Sequence, residues 1–331
     1  MRALVLAAAL LCACGPGPGP ATGFAVVDRY PGPDGGYDYL SIDADARRLY
    51  VAREYGVMSV DLATHAVTAK LVDGGDVSAV LPLPGTKLML STNWASDSAT
   101  LFDRITGTVV AQIALGSKPD AAVFDPASGQ AVVMNSGDGS AALIDVTARR
   151  VVAIVALGGA PEGAVADGDG RVYINIVEPA QVVALDTRTR RIVARYPLPD
   201  CVEPTGIAFD RRSRLLMSAC RSGTVRLLDA ATGSPRGAVR TGMGADGALF
   251  DAERRLGYVP CKDGTLTIFR LDPQGKPTPV ARVATARGAR TAALDPRTGR
   301  VYLAAAEYST DAQGREVQVP GTFGILVVGP R

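Results

Sequence analysis

The stretch PDAAVFDPASGQAVVMNSGDGSAALIDVTARRVVAIVAL, residues 119–157, holds four short apolar runs separated by turns rich in Asp, Gly, Ser and Thr. Apolar runs of this length between such turns are typical of β-strands. The stretch therefore predicts four consecutive strands, here called a, b, c and d, joined by short turns. The sequence contains no segment with a sustained helical period and helix caps.

The same pattern returns about every 42 residues. One aspartate series closes the c strands, at spacings of 42, 42, 41, 43 and 43 residues: Asp61, Asp103, Asp145, Asp186, Asp229 and Asp272. A second series closes the a strands, with Pro82 near the missing member: Asp43, Asp125, Asp167, Asp210, Asp251 and Asp295. Four strands in ~40–45 residues are typical of a β-propeller blade, which must pack against other blades because it cannot bury both faces alone.

The a strands predict seven blades, which begin near Tyr37, Val77, Pro119, Pro161, Pro204, Ala245 and Ala289. The seventh has only three strands of its own. Residues 24–30 precede the first blade, and we expect them to supply the fourth strand and close the ring, which removes an open sheet edge. The predicted fold is all-β: a seven-bladed β-propeller over residues 23–331, with four antiparallel strands per blade and the last blade closed by the N-terminal strand.

Several motifs carry a family resemblance. LIDVTARRVVAIVAL at 143–157, LDTRTRRIVARYPL at 185–198, VVMN at 132–135 and VYIN at 172–175 resemble the YVTN (YncE-like) β-propeller family. The resemblance covers residues 24–329 and implies the propeller fold and a place outside the cytoplasm. It implies no single activity, since some members have been linked to single-stranded DNA or to surface layers, and related propellers include lactonases.

The N-terminus resembles a bacterial lipoprotein signal. A positive start precedes a short apolar run over residues 3–11, which is too short to span a bilayer, since that takes ~20 residues, and is typical of a signal peptide. Residues 1–13 are interpreted as the signal peptide and Cys14 as the lipidated residue, with a plain secretory signal as the alternative. Residues 14–22, rich in alternating Gly and Pro, predict a tether. The expected location is periplasmic, with a lipid anchor in the outer membrane.

Composition limits the function classes. The 331 residues include 35 Lys and Arg against 33 Asp and Glu, for a net charge of +2, and 5% are aromatic. This balance disfavours a nucleic-acid surface, which needs positive charge and stacking platforms. A single His excludes multi-His sites, and no phosphate-binding loop, nucleophile elbow or haem motif is present. No cofactor and no catalytic residue is predicted.

Candidate binding residues stand five positions before the end of each a strand. Because a strands line the channel of a propeller, we expect these residues to converge at one opening, here called the top mouth: Asp38, Asp120, Glu162, Asp246 and Arg290, with Thr205 in blade five and Val77 in blade two. We predict that a ligand binds there. Carboxylate oxygens also suit a hard divalent cation, and turn chemistry alone explains Asp after Pro, so metal binding is left undecided.

The b strands also end at the top face, at Glu54, Asn93, Asn135, Asn175, Cys220, Cys261 and Glu307. Basic residues lie near them, and guanidinium groups suit carboxylate or phosphate ligands, although exposed Arg is usually only solvated: Arg53, Arg221, Lys262, Arg287 and Arg290. The longest insertion, residues 306–321 in blade seven, emerges on the same face. Long loops of this kind are often lids, and we expect it to cover the top mouth.

Two cysteines of blade five are predicted to form a disulfide. Cys201 precedes strand a and Cys220 ends strand b, so both lie at the top of one hairpin, and disulfides are the default outside the cytoplasm. Cys261 is the equivalent of Cys220 in the next blade and is left over. A three-cysteine metal site is the alternative, although structural zinc usually has four ligands.

These observations predict a monomeric cell-envelope lipoprotein that acts as a binding or scaffolding module for an envelope protein or a polar small ligand. It would touch the membrane through its lipid anchor only. One alternative is a metal-dependent, lactonase-type hydrolase that uses the carboxylates of the top mouth. A second alternative, single-stranded nucleic-acid binding, is implied only by the family resemblance and is disfavoured by the composition.

Overall fold

The computed structural model describes residues 23–331, which form seven four-stranded antiparallel sheets arranged as the blades of a β-propeller. Strand a of each blade lines the central channel, and strands b, c and d follow outward in order. The predicted fold class is confirmed. The signal peptide expected at 1–13, the lipid site expected at Cys14 and the tether expected at 14–22 lie outside the described residues.

The first four blades follow one another along the chain. Blade one consists of Tyr37–Asp43, Arg48–Arg53, Gly56–Asp61 and Val67–Asp73. Blade two consists of Val77–Pro82, Leu88–Asn93, Ser98–Asp103 and Val109–Ala114, with a 3-10 turn at Trp94–Ser96. Blade three consists of Pro119–Asp125, Gln130–Asn135, Ser140–Asp145 and Arg150–Ala156. Blade four consists of Pro161–Ala166, Arg171–Ile176, Gln181–Asp186 and Arg191–Pro197.

The last three blades complete the ring. Blade five consists of Pro204–Asp210, Leu215–Cys220, Thr224–Asp229 and Pro235–Arg240. Blade six consists of Leu249–Asp251, Leu256–Cys261, Thr265–Leu271 and Pro277–Ala284. Blade seven takes strands a to c from Ala292–Leu294, Val301–Ala305 and Gly324–Pro330. The insertion in blade seven forms a small hairpin, here called the top hairpin, of Tyr308–Thr310 and Glu316–Gln318.

The N-terminal strand closes the ring, as predicted. Strand Phe24–Pro31 is the outer strand of blade seven and pairs antiparallel with strand c of that blade, from Phe24 opposite Pro330 to Pro31 opposite Gly324. The first and last strands of the propeller therefore share one sheet, and blade seven holds blade one through the segment that follows Pro31.

The hydrophobic core is divided into seven clusters, one at each interface between neighbouring blades. Successive side chains of a strand point to opposite faces, so each strand supplies two clusters. In strand b of blade one, Leu49 and Val51 pack toward blade seven, whereas Tyr50 and Ala52 pack toward blade two. The fold is therefore stabilised by neighbour contacts around a closed circle.

The two aspartate series that look alike in the sequence have different environments. The c-strand aspartates are partly exposed and accept bonds from the turn that follows: Asp61 accepts from the N–H groups of Thr64 and Ala63, which lowers its pKa. The a-strand aspartates are buried, with at most 7% of their surface exposed. A buried carboxylate needs charged or polar partners. The following turn of the same blade supplies N–H groups, as it does for the c strands, and in five of the six cases the neighbouring blade adds one further partner.

The partners of the buried aspartates link one blade to the next. Nη1 of Arg104 in blade two lies 2.7 Å from Oδ2 of Asp43 in blade one. The other direct links join Thr187 to Asp125 at 2.6 Å, Arg214 to Asp167 at 3.8 Å, Arg255 to Asp210 at 2.6 Å and Arg47 to Asp295 at 3.5 Å. We call this set the aspartate girdle. It ties five of the interfaces with a polar contact that runs always in the same direction around the ring.

The girdle is interrupted at two interfaces: Asp251 of blade six pairs with Arg254 of its own blade at 3.0 Å, and blade two carries no aspartate at this position. The strand register places Leu83, and not Pro82, where the other blades carry Asp, because Leu83 N donates to Leu88 O just as Asp295 N donates to Arg300 O. Leu83 is buried in the apolar cluster between blades two and three. The interface between blades two and three is therefore apolar at the end of strand a, where the interfaces on either side carry a polar contact.

The register also corrects the end of strand b in blade one, which is Arg53 rather than Glu54. Arg53 is fully buried and donates to the carbonyls of Pro33 at 2.8 Å and Gly36 at 2.9 Å. Its guanidinium carbon lies 3.8 Å from the ring centroid of Phe323 in blade seven, within the range of a cation–π contact. One buried cation thus fastens the segment between the closing strand and blade one.

The girdle predicts a strong coupling between Asp210 and Arg255. Asp210→Ala should lower the free energy of unfolding by about 3–5 kcal/mol, because it leaves a largely buried guanidinium without its partner. The double variant Asp210→Ala with Arg255→Met should recover part of this loss, and urea unfolding of the four proteins in a double-mutant cycle measures the coupling.

Asp229→Ala is the matched control, since this c-strand aspartate caps a turn with a partly exposed carboxylate. It should cost about 1 kcal/mol. Equal losses at Asp210 and Asp229 would contradict the distinction between the two series.

Candidate functional site

The residues predicted for the top mouth do converge at one end of the channel. Nε of Arg290 lies 2.7 Å from Oδ2 of Asp246, and its Nη2 lies 4.0 Å from Oδ1 of Asp38. Asp120 and Glu162 belong to the same cluster, because their charges act on each other and on Asp246. Residues from blades one, three, four, six and seven thus share one small opening, while ligand binding there stays a prediction.

Arg221 of blade five is a further member of the top mouth. Its Nη2 lies 3.1 Å from Oδ1 of Asp246, and its Nη1 lies 3.1 Å from Oε2 of Glu203. Sequence reasoning grouped Arg221 with the basic residues of the top face but did not place it in the mouth. The signal was its position just after the end of strand b, directly above the a strand of the next blade.

Hydroxyl groups of neighbouring blades fix the backbone of the mouth. Thr92 of blade two donates to the carbonyl of Asp120 at 2.7 Å, and Thr291 of blade seven donates to the carbonyl of Asp38 at 2.9 Å. The register shows that the blade-two member of the series is Ser78 and not Val77, because Val77 pairs with Asn93 as Tyr37 pairs with Arg53. The carboxylates are therefore held by rigid strand ends.

Tyr39 forms the floor of the top mouth, and sequence reasoning missed it. Its ring reaches across the channel from blade one to the apolar cluster between blades three and four. Burial first, and then the charges of Asp120, Asp246, Glu162 and Asp38, raise the pKa of its phenol well above the ordinary value. The hydroxyl therefore lies within the electrostatic range of all four carboxyl groups. Below it, the channel is a narrow space of about 200 Å³ lined mainly by small and apolar residues.

The a strands of blades four, five and six, opposite Tyr39, pack tightly against one another. A Cβ atom on Gly163 would lie 2.6 Å from the carbonyl oxygen of Thr205, and one on Gly206 would lie 2.3 Å from the carbonyl carbon of Gly247. Glycine is required at these positions by close backbone approach. The ring of seven blades is therefore asymmetric at its centre, with one large side chain facing a wall of small ones.

Three carboxyl groups of the top mouth hold their protons near neutral pH. The pKa values of Asp38, Asp120 and Glu162 are raised to about 7 in each case, mainly by burial and in addition by neighbouring carboxylates. Arg290 and Arg221 partly oppose this rise. The two guanidinium groups are thus too few to balance the acidic side chains around them.

The surplus of acidic side chains also changes the pKa values of the two arginines. Burial alone would lower the pKa of Arg290, but the charges of Asp38 and Asp246 outweigh it, so the pKa is raised. The same balance raises the pKa of Arg221, with Asp246 as the main partner. Both side chains therefore stay cationic and fixed on Asp246, and the remaining carboxyl groups are left to other partners.

The predicted disulfide is present. Cys201 and Cys220 are joined, with their Cα atoms 5.4 Å apart, and both lie in the cluster between blades four and five. Cys261 is buried and free, and burial raises the pKa of its thiol to about 11. The bond fixes the start of strand a in blade five, and Cys220 immediately precedes Arg221 in the sequence.

The top hairpin contacts one side of the top face. Oε1 of Gln318 accepts a bond from the N–H of Gly35, and Glu316 lies 3.9 Å from Arg287. A Cβ atom on Gly288 would lie 3.5 Å from the ring of Tyr308. The hairpin therefore lies between the segments that lead into blades one and seven, next to Arg290. It covers this side of the top mouth and not, as the sequence had led us to expect, the whole opening.

Two other kinds of site are absent from residues 23–331. No group of three or more His, Cys, Asp and Glu side chains is placed to hold a metal ion. No helix in this part of the chain has the length and apolar character that a membrane crossing requires.

Comparisons with known proteins support the architecture. No protein-family model and no curated protein matches the sequence. A chain from the crystal structure of the Mitotic Checkpoint Complex is 14% identical over 99% of both chains, with a TM-score of 0.76. Hydrazine synthase from Kuenenia stuttgartiensis is 16% identical over 86% of this chain and 95% of that one, with a TM-score of 0.70. At these identities the similarity shows a β-propeller, WD40-like fold and nothing about the ligand.

The raised pKa values predict how stability changes with pH. The folded values near 7 exceed the ordinary values of 3.8 for Asp and 4.5 for Glu, so the folded state binds more protons and loses stability as pH rises from about 4 through 7. Asp120→Asn with Glu162→Gln removes the part of this loss that comes from two of the three groups, while Asp38 keeps its own part. The variant should melt a few degrees above the wild type at pH 8 and close to it at pH 4, as measured by calorimetry.

Asp61→Asn is the control on the opposite face, because the pKa of this carboxyl is lowered rather than raised. It should not stabilise the protein at pH 8. A difference between the mouth variant and the wild type that does not change with pH would show that these carboxyl groups titrate normally.

Proposed function

We propose that this β-propeller is a binding module whose ligand enters the top mouth with a cationic group, such as an amine. The observation that carries the proposal is the convergence of Asp38, Asp120, Glu162 and Asp246 on only two guanidinium groups. An amine that enters this opening lowers the energy of carboxylates that otherwise repel one another. Concave sites with convergent polar groups are the usual location of ligand binding.

The floor of the mouth supports a small or narrow cationic group. The Tyr39 hydroxyl can accept a hydrogen bond from an ammonium, and its ring lines the start of the apolar channel. The rigid strand ends fix the carboxylates before the ligand arrives, so little order is lost on binding.

The wider setting is also proposed. The chain acts in the cell envelope as a periplasmic lipoprotein, with residues 1–13 as its signal peptide and Cys14 as its lipid site, and its repeats belong to the YVTN type. The Cys201–Cys220 disulfide supports an oxidising compartment. A propeller fold fits a binding or scaffolding role in general.

Titration calorimetry with hexylamine, hexanol and hexanoate tests the cationic preference. Hexylamine should bind at pH 8 and lose about tenfold in affinity at pH 5.5, because bound protons then compete with it for the carboxyl groups of the mouth. Asp120→Asn with Glu162→Gln should weaken amine binding about tenfold, equal to about 1.4 kcal/mol.

Asp145→Asn with Asp186→Asn, on the turns of the opposite face, provides a control with the same change in charge. It should leave amine binding unchanged. Equal binding of hexylamine and hexanol, or a loss that appears only in the control variant, would refute the proposed site.

The membrane anchor has a separate test. Cys14→Ser should move the protein from the membrane fraction of the producing cells to the soluble periplasmic fraction, because a lipid chain supplies the whole of the expected membrane affinity. Fractionation followed by immunoblotting measures this. Continued membrane association of the variant would argue against lipidation at Cys14.

A further inference from the structure

A cavity of about 490 Å³ opens on the top face beside the top mouth. Its walls come from three segments: the turn after strand b of blade six, with Lys262; the connection to blade seven, with Arg287 and Gly288; and the top hairpin, with Tyr308. We call it the basic cavity. Arg290 belongs both to its lining and to the top mouth, so the two spaces are adjacent.

The lining of the basic cavity holds three cationic side chains, Lys262, Arg287 and Arg290, and two acidic ones, Glu307 and Glu316. Arg290 is already bound to Asp246, so Lys262 and Arg287 are the cations that a ligand can use. Lys and Arg side chains bind carboxylate and phosphate groups through charge-assisted hydrogen bonds. With two carboxylates in the same wall, the cavity matches one ligand carboxylate better than a doubly charged phosphate.

Two of the cations are available to a ligand. Within the described residues, Lys262 takes part in hydrogen bonds through its backbone only. The carboxylate contact of Arg287 is 3.9 Å long, to Glu316, and both side chains are mostly exposed. Such exposed pairs contribute only about 0–1 kcal/mol, so a ligand carboxylate can replace this contact at little cost.

A second cavity continues the row of cationic side chains toward the top mouth. It measures about 370 Å³ and is lined by Arg221, Gly244, Asp246, Lys262 and Arg290. Lys262 and Arg290 stand in the walls of both cavities. The cations therefore form a continuous sector over blades five to seven, which ends at the carboxylates of the top mouth.

The top hairpin gives the basic cavity an apolar side. Tyr308 is 45% exposed, and its ring lines the space together with Ala286 and Ala306. Gly288 has a φ of +88° and carries no side chain that would push against this ring. A short methylene chain can therefore lie along Tyr308 between two charged ends.

We propose that the basic cavity binds the carboxylate of a zwitterionic ligand, an amino acid or short peptide, whose cationic group lies in the top mouth. Lys262 and Arg287 bind the carboxylate, and Arg290 separates the two charged ends. The cationic half of this assignment rests on the proposed function, whereas the anionic half rests on the basic cavity alone. The top face thus selects a ligand by the distance between its opposite charges.

Calorimetry with aminohexanoate, hexylamine and hexanoate at pH 8 separates the two halves. Aminohexanoate should bind about tenfold more tightly than hexylamine. Lys262→Gln with Arg287→Gln should reduce aminohexanoate to the affinity of hexylamine and leave hexylamine itself unchanged or slightly tighter. Both residues are exposed, so the variant should keep its fold.

Arg212→Gln with Lys276→Gln, two exposed residues in turns of the opposite face, makes the same change in net charge and should have no effect on either ligand. Equal affinity for aminohexanoate and hexylamine, or no loss in the Lys262 and Arg287 variant, would overturn the carboxylate site and leave the amine site standing. Binding of hexanoate without binding of hexylamine, lost in the same variant, would support the carboxylate site and overturn the proposed amine site.

Discussion

The structure depends on a carboxylate that is buried at the end of strand a and bound by the next blade. Each blade can bury its faces only against its two neighbours, and the seven apolar clusters supply most of that burial. Apolar contacts do not fix the orientation of one blade relative to the next, whereas a buried aspartate that accepts a bond from the next blade does. Asp210 with Arg255, and Asp43 with Arg104, therefore set how neighbouring blades sit. The circle is completed by the first strand and by Arg53, whose cation is bound by carbonyl groups and by the Phe323 ring.

The same ring geometry produces the face on which we propose that the ligand binds. Seven a strands end at one opening, so side chains that are about 42 residues apart in sequence become neighbours there. The repeat makes the positions equivalent, and the departures from the repeat make the site: Tyr39 where the other blades have small residues, Arg290 where four other blades have acids, and an insertion in blade seven alone. Acidic side chains therefore lie over the channel, and basic side chains lie over blades five to seven. A ligand with both charges is the simplest partner for such a face.

Much of this could be predicted from the sequence, because strand period and turn residues are local signals. The blade number, the closing strand and the Cys201–Cys220 bond follow from spacing alone. The role of the two aspartate series did not, since Asp210 and Asp229 stand in similar turns, and only packing decides which is buried. The repeat also did not fix the strand register to a single residue, since it pointed to Pro82 and Glu54 where the structure has Leu83 and Arg53. Tyr39 was detectable as one large residue in a column of Ala and Gly, but its place over the channel required the closed ring.

The central claim is that the mouth carboxylates are close together, partly buried and short of cations. The most direct test is a carbon-13 NMR titration of the carboxyl group of Glu162 in glutamate-labelled protein, with Glu162→Gln to assign the signal. The account predicts a midpoint of about 7, which falls when a cationic ligand is added. A midpoint close to 4.5, the ordinary value for glutamate, would contradict the account.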